Sequence, residues 1–335
     1  MLSPDRWIEV AGERLLVRDL AAQDRTAVLA LHAEVFGGAA SPAWYDWKYV
    51  QGGGQAVGVW QGHRLIAHCG GTPRAYLVHK RRVSTLQIGD VMVAPQWRGV
   101  LTRHGPFFHV SQALYASRLG ADKRFGIGFG FPNERHLRLA VKSGLSWDAG
   151  RVHELQWSAL DARDWGGWRW CQEVLALGSE AQELATEACW HKMSMDMPSL
   201  SVGIRSAAHV RWRYTLRPQS VHHVLALRSR WSREVLGVAV LGSPLPDGGV
   251  HWLDWVGPPR LMGVASRMCR AFVSELGGNR LVTWASTAVE QHLMGSGFAS
   301  AGTVAGIGVP VASDVTADDV PSLNWWFMSG DTDFL

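Results

Sequence analysis

Hydrophobic and polar positions alternate between helical and extended spacing along the first 150 residues. Apolar residues three and four apart predict an amphipathic helix over 24–37. The stretch 54–95 predicts three strands, because β-branched and apolar runs are separated by polar turns near 61–63 and 79–82. A second helix is predicted to open near 98–105 and to end at Gly120, before a last strand at 125–131.

The chain contains an internal repeat with a period close to that of a whole domain. Residues 90–108 and 254–272 share six identities in 19 ungapped positions, each pair 164 residues apart, and WKY at 47–49 corresponds to WRY at 212–214. The identical pairs are Asp90/Asp254, Pro95/Pro259, Gly99/Gly263, Val100/Val264, Arg103/Arg267 and Phe108/Phe272. This period is too long for a solenoid and is typical of a duplicated α/β domain.

The repeat predicts the domain organisation. We expect a first domain at 12–150, a helical, tryptophan-rich connector at 151–200 and a second domain at 201–335. The chain has 335 residues and 18 tryptophans. A packing role for these tryptophans competes with a role as aromatic walls of a ligand cleft.

Composition narrows the functional classes. A net charge of +4 is spread along the chain, without the basic run of a nucleic-acid-binding arm, so we expect no nucleic-acid partner and only a mild preference for anionic ligands. The four cysteines have no CxxC spacing, so we expect no metal site and no disulfide framework. No apolar run approaches the roughly 18 residues of a membrane span, which favours a cytoplasmic protein without a membrane partner.

The strand-to-helix joint at 90–107 is the strongest candidate for binding chemistry. The start of a helix leaves unpaired backbone N–H groups, and the helix dipole adds partial positive charge, so phosphate binds there readily. Gly99 allows a ligand to approach the backbone, while Arg98, Arg103 and His104 offer further donors.

These residues resemble a known family. VMVAPQWRGVLTRHGPF at 91–107 is similar to the acetyl-CoA loop of the GNAT N-acetyltransferases, and FPNERHLRLAVKSGL at 131–145 is similar to the family's fifth strand and fourth helix. The second copy has the family's Gly-Phe pair at 297–298. The resemblance implies an α/β (α+β) fold with two tandem GNAT-like domains, each a mixed, mostly antiparallel sheet flanked by helices. Met262 replaces Arg98 in the second copy, which implies a degenerate domain that binds cofactor poorly.

The resemblance also implies an acetyl-CoA site in the first domain. Residues 91–93 would lie along the pantetheine arm, the loop at 98–105 would hold the diphosphate, and Asn133 would lie near the sulfur. The residues so assigned are Val91, Met92, Val93, Arg98, Gly99, Val100, Leu101, Thr102, Arg103, His104, Gly105 and Asn133. The sequence departs from the family where Leu101 and Arg103 replace loop glycines and where Ala140 replaces a tyrosine general acid.

Transfer to an amine requires a group that removes a proton from it. Asp90 is the first candidate for this general base, because burial in an apolar strand is expected to raise its pKa. Glu134 and His136 are further candidates, and His68 is within the same region. The predicted function is transfer of acetyl from acetyl-CoA to an amine of a small molecule or sugar. An aminoacyl-tRNA-dependent transferase and a non-catalytic CoA-binding or regulatory module remain alternatives, and the acceptor and oligomeric state have no signature in the sequence.

Overall fold

The computed structural model describes residues 5–38, 40–99, 104–160 and 165–332. The strands in these ranges are β1 (Arg6–Val10), β2 (Glu13–Asp19), β3 (Gln55–Gln61), β4 (Arg64–Val78), β5 (Arg81–Val93), β6 (Ile127–Gly130), β7 (Ser146–Ser158), β8 (Trp170–Leu175), β9 (Ser201–Gly203), β10 (His222–Ser229), β11 (Val235–Gly242), β12 (Gly249–Val256), β13 (Arg280–Ser286), β14 (Ala299–Pro310) and β15 (Trp325–Trp326). The α-helices are α1 (Arg25–Phe36), α2 (Pro42–Tyr45), α3 (Pro106–Arg118), α4 (Glu134–Lys142), α5 (Glu180–Asp196), α6 (Ala207–Val210), α7 (Met262–Glu275) and α8 (Thr287–Leu293).

The chain divides into two compact units. Unit 1 contains residues 1–75, 83–149 and 306–322, and unit 2 contains residues 76–82, 150–305 and 323–335. Each unit therefore includes a strand from the other half of the chain. Pairing places the end of β14, residues 306–310, beside β6 in unit 1, and the end of β4, Tyr76–Val78, beside β9 in unit 2.

In unit 1 the strands follow the order β1-β2-β3-β4-β5-β6-β14. Neighbours from β1 to β4 pair antiparallel, β5 and β6 pair parallel, and β6 and β14 pair antiparallel. Helix α1 ends at Gly37, whose φ of 72° is the left-handed conformation that favours glycine at a helix C-terminus. Helices α1 and α3 contribute Leu31, Val110 and Leu114 to a core that also contains Val57 of the sheet.

In unit 2 the strands follow the order β7-β13-β12-β11-β10-β8. Helix α5 packs against β11, and its serine cap, Ser179, accepts a hydrogen bond from the backbone N–H of Gln182. Trp157, Trp252 and Trp255 are fully buried in this unit's core. These three tryptophans therefore pack the interior of unit 2.

The predicted mixed α/β class with a mostly antiparallel sheet is confirmed. The unit boundaries differ from the predicted domain boundaries in three places. Residues 76–82 lie in unit 2 although the first domain was predicted to span 12–150. Residues 306–322 lie in unit 1 although the repeat assigned all of 201–335 to the second domain. Residues 151–200, expected to be a helical connector, contain most of β7, together with β8 and α5, within unit 2. Hydrogen-bonded strand pairing determines which unit each segment belongs to. The hydrophobic pattern of a strand does not specify which strand it pairs with.

Candidate active site

Strands β5 and β6 part in the middle of unit 1. Their parallel ladder runs from Thr85 opposite Ile127 to Ile88 opposite Gly130, while β5 continues to Val93. Close packing marks the end of the ladder, since a Cβ on Gly130 would lie 3.1 Å from the carbonyl oxygen of Ile88. We call the region beyond Ile88, where β6 has ended and β5 continues to Val93, the first gap.

Asp90 lies on β5 directly after the ladder ends, in an unusual backbone conformation. Its φ of 50° falls in the left-handed region, which non-glycine residues adopt at a cost of about 1–3 kcal/mol. The imidazole Nδ1 of His68 lies 2.7 Å from the carbonyl oxygen of Asp90. His68 is fully buried, and burial lowers its pKa, so the neutral ring donates Nδ1–H to this carbonyl. Its Nε2 has no hydrogen-bond partner among the described residues.

The carboxylate of Asp90 is held by two residues of a π-helical turn, Asp46–Gln51. The hydroxyl of Tyr49 donates to Oδ2 of Asp90 over 2.5 Å, and Nζ of Lys48 lies 2.8 Å from the same oxygen. The π-helical turn continues directly from α2 and buries Lys48 and Tyr49 together. Gly70 makes this possible, because a Cβ there would overlap the Tyr49 hydroxyl.

The structure reverses the pKa shift expected for Asp90. Burial opposes ionisation of this carboxyl, but the ammonium of Lys48, the His68 ring and the two hydrogen bonds hold its pKa below the usual value. The expectation of a raised pKa is therefore wrong, because it did not include a buried cation at 2.8 Å. Asp90 is a charged carboxylate at neutral pH and a weak proton acceptor.

The joint between β5 and α3 carries the candidate anion site. Gly99 adopts a φ of 77°, and Arg98 donates its Nε–H to the carbonyl of Val93 over 2.9 Å while its side chain is exposed. Helix α3 begins at Pro106 after Gly105, which provides no side-chain cap. The predicted site residues Val100, Leu101, Thr102 and Arg103 lie outside the described residues.

These features fit the diphosphate of an acyl-CoA. A helix start without a side-chain cap leaves first-turn N–H groups for a ligand, and a guanidinium strengthens binding of phosphate oxygens. His104 is exposed and its ring stacks on Phe108 with the centroids 4.1 Å apart. The side chain of Met92 is buried in the core of unit 1, so only its backbone can meet a ligand, whereas Val91 and Val93 are partly exposed.

Helix α4 presents the other predicted site residues. Asn133 is exposed and caps the helix, accepting a hydrogen bond from the backbone N–H of His136 over 2.9 Å. Glu134 is the first residue of α4 and is partly exposed. Partial desolvation of the ring, together with the positive charges of Arg135 and Arg98, lowers the pKa of His136. The imidazole is therefore neutral at pH 7.

Sequence reasoning missed Lys48 and Tyr49 as site residues. Both lie in the WKY segment that the repeat pairs with WRY at 212–214, so the repeat was the available signal. In unit 2 the hydroxyl of Tyr214 donates to Oδ2 of Asp254 over 3.1 Å. The tyrosine–aspartate bond is therefore present in both copies.

Unit 2 lacks the open joint of unit 1. A short 3-10 turn, Pro259–Leu261, leads directly into α7 at Met262, which is fully buried. At an offset of 164, residues 98–105 correspond to the first two turns of α7. Burial raises the pKa of Asp254, although Arg205 opposes this shift, and Asp254 is not in the left-handed region.

Residues 16–107 match a family model described as "Acetyltransferase (GNAT) domain". This match covers less than a third of the chain, and the resemblance to the family that the sequence predicted is confirmed. A search of curated proteins finds no significant match.

Solved structures resemble nearly the whole chain. A protein from Enterococcus faecalis described as a probable N-acyltransferase has a TM-score of 0.65 and 13% identity, covering 89% of this chain and 72% of that one. A GCN5-related N-acetyltransferase from Anabaena variabilis has a TM-score of 0.66 and 12% identity over 90% and 73%. Another from Kribbella flavida has a TM-score of 0.61 and 19% identity over 88% and 70%. At these identities the likeness shows the fold.

Two further properties concern the described part of the chain. Within 5–38, 40–99, 104–160 and 165–332, no helix is both long and apolar enough to cross a membrane. In the same residues no group of three or more histidine, cysteine, aspartate or glutamate side chains is placed to hold a metal ion.

Proposed function

We propose that the protein is an N-acetyltransferase that moves acetyl from acetyl-CoA to an amine of a small molecule or sugar, and that unit 1 carries this activity. The first gap is the observation that carries the proposal. In it, β5 carries the charged Asp90 and has no ladder partner on its β6 side among the described residues, and the chain then leads through residues 94–105 to a helix start that fits a diphosphate.

The acyl donor would be held along β5 and at the start of α3. Arg98, Gly99, His104 and Gly105 would bind the diphosphate together with residues 100–103, and the backbone at 91–93 would lie along the pantetheine arm. Asn133 would lie near the sulfur. The thioester supplies an activated acyl group. The protein contributes orientation of the amine in line with the carbonyl, and backbone N–H groups that stabilise developing negative charge.

Proton handling would be shared among Asp90, Glu134 and His136. Because Asp90 remains ionised, it would attract and orient a protonated amine rather than hold its proton. Glu134 adds a second carboxylate at the start of α4. His136 is neutral and exposed, so it can accept the proton directly or through water.

The test combines donor binding with turnover. We expect acetyl-CoA to raise the melting temperature and an amine panel to release free thiol from it. Arg98→Ala should weaken CoA binding about tenfold through loss of a charged hydrogen bond, without changing the melting temperature of the free protein. Arg14→Ala is the matched control, since Arg14 is exposed and stacks on Trp7.

Other outcomes would redirect the assignment. Absence of stabilisation by every CoA compound, with no thiol release, would refute the proposal. CoA binding without turnover on any amine would favour a non-catalytic binding or regulatory module. Transfer that requires a charged tRNA and releases no thiol would identify the aminoacyl-tRNA-dependent class.

A further inference from the structure

Unit 2 has a gap at the position that corresponds to the first gap. The parallel ladder of β12 and β13 runs from Gly249 opposite Arg280 to His251 opposite Val282, after which both strands continue. Gly249, the first ladder residue on β12, lies 164 residues after Thr85, the first ladder residue on β5. This offset equals the period of the sequence repeat. We call the separation of β12 and β13 beyond His251 the second gap.

The segment 325–332 lies in the second gap and contacts both of its strands. On the β13 side, Met328 forms an antiparallel bridge with Ala285, and the backbone N–H of Trp284 donates to Oγ of Ser329 over 2.7 Å. On the β12 side, Gly330 packs so closely that a Cβ would lie 2.8 Å from the carbonyl oxygen of Leu253 and would overlap the Tyr214 hydroxyl.

The residues that hold segment 325–332 are the repeat partners of the unit 1 site. Arg213, the partner of Lys48, donates to the carbonyl oxygens of Gly330 and Thr332 over 3.0 and 2.6 Å. Lys48 instead pairs with Asp90. Lys48 therefore pairs with the aspartate of unit 1, whereas its repeat partner Arg213 binds segment 325–332 in unit 2.

The aspartate of the second copy is tied to the segment through an added arginine. Arg205, which is 1% exposed, donates Nε–H to Asp254 over 2.6 Å and an Nη–H to Asp331 over 2.5 Å. Asp331 also accepts from the backbone N–H of Met328 over 2.9 Å. Arg205 thus joins Asp254, the counterpart of Asp90, to segment 325–332 in a buried, fully hydrogen-bonded network.

The helix cap of the second copy is also used by the segment. Ser286 precedes α8 as Asn133 precedes α4, but its hydroxyl does not cap the helix. It donates to the carbonyl of Trp325 over 2.5 Å and accepts from the backbone N–H of Phe327 over 3.0 Å. Asn133, by contrast, caps its own helix.

We propose that segment 325–332 permanently occupies the second gap in place of an acyl donor, so that the chain has one donor site, the first gap. The identification of the first gap as a donor site rests on the proposed function, whereas the occupation of the second gap rests on the contacts above. Phe327, Met328 and Ser329 are fully buried, as expected of an integral part of a core. The buried start of α7 at Met262 removes the open joint that a diphosphate would need.

Two measurements on the full chain test this proposal. Titration of the wild-type protein with CoA should give one equivalent bound per chain. Hydrogen exchange should show slow exchange of the backbone amides of Trp284 and Ser286, which donate to the segment. Gly330→Ala should speed exchange of these amides at least tenfold, because the new Cβ displaces the segment. Exchange in β5 of unit 1 should remain unchanged.

Gly263→Ala is the matched control, since Gly263 lies in the same unit and a Cβ there meets nothing within 4 Å. Should Gly330→Ala fail to fold, Asp331→Asn weakens the link to Arg205 more gently, and the same amides should exchange several-fold faster. Two bound equivalents of CoA in the wild type, or unchanged exchange in both variants, would overturn the proposal. If the wild type binds no CoA, the proposed function fails, and the exchange data alone decide the occupation of the second gap.

Discussion

Replacement of Lys48 by methionine gives the most direct test of the unit 1 network. The Lys48 side chain is 3% exposed and that of Asp90 is 11% exposed, so the ion pair is nearly removed from water. Methionine keeps most of the side-chain volume but removes the charge 2.8 Å from the carboxylate. Asp90 would then be a buried anion that keeps the hydrogen bond from Tyr49.

The expected cost follows from breaking one half of a buried pair. Such substitutions cost about 3–5 kcal/mol, and we expect about 3 kcal/mol at pH 8 because the hydrogen bond from Tyr49 remains. In the variant, burial is no longer opposed by Lys48, so the folded-state pKa of Asp90 rises above its unfolded value. The penalty is then full above the raised pKa and decreases as the pH falls through it.

Urea unfolding at pH 8 and pH 5, with hydrogen exchange in β5 as the readout for unit 1, measures this cost. Adding Asp90→Asn should recover about 2 kcal/mol, since the amide carries no charge, and this double-mutant cycle isolates the pair. Lys142→Met at the exposed end of α4 is the control and should change stability by less than about 0.5 kcal/mol. A cost below about 1 kcal/mol at pH 8, or an equal cost at both pH values, would refute the reasoning.

Three further predictions concern single side chains. Asp90→Asn should lower kcat/KM for the amine about 100-fold through loss of amine orientation and leave KM for acetyl-CoA unchanged, and full turnover would remove Asp90 from the mechanism. Gly70→Ala should destabilise the protein by about 2 kcal/mol through overlap with the Tyr49 hydroxyl, and thermal unfolding should show a smaller loss in a Tyr49→Phe background. Burial lowers the pKa of His222 to about 4, so the folded state resists its protonation. His222 should contribute about 2 kcal/mol to the stability lost from pH 7 to 5, and His222→Gln should reduce the loss by that amount.

The repeat carried most of what could be predicted about the site. It paired Asp90 with Asp254 and WKY with WRY, and the structure joins the tyrosine to the aspartate in both copies. The bond itself was not predictable, because 41 residues separate Tyr49 from Asp90 and only the π-helical turn brings the two side chains together.

Two features lay beyond the sequence for physical reasons. The sign of the Asp90 pKa shift depends on whether burial or a nearby cation dominates, and that balance requires the position of Lys48. The membership of the end of β14, residues 306–310, in unit 1 depends on one ladder partner among several strands with similar patterns. Both features depend on contacts between residues that are distant in sequence, which short-range periodicity does not encode.

The reciprocal exchange of strands has a consequence for how the protein can be divided. A fragment ending near residue 150 would leave the outer edge of β6 without β14, and its complement would leave β9 without Tyr76–Val78, the end of β4. Unpaired edges of this kind promote aggregation. Either half produced alone, from a gene split near residue 150, should therefore be insoluble. Production of both halves in the same cell should restore solubility.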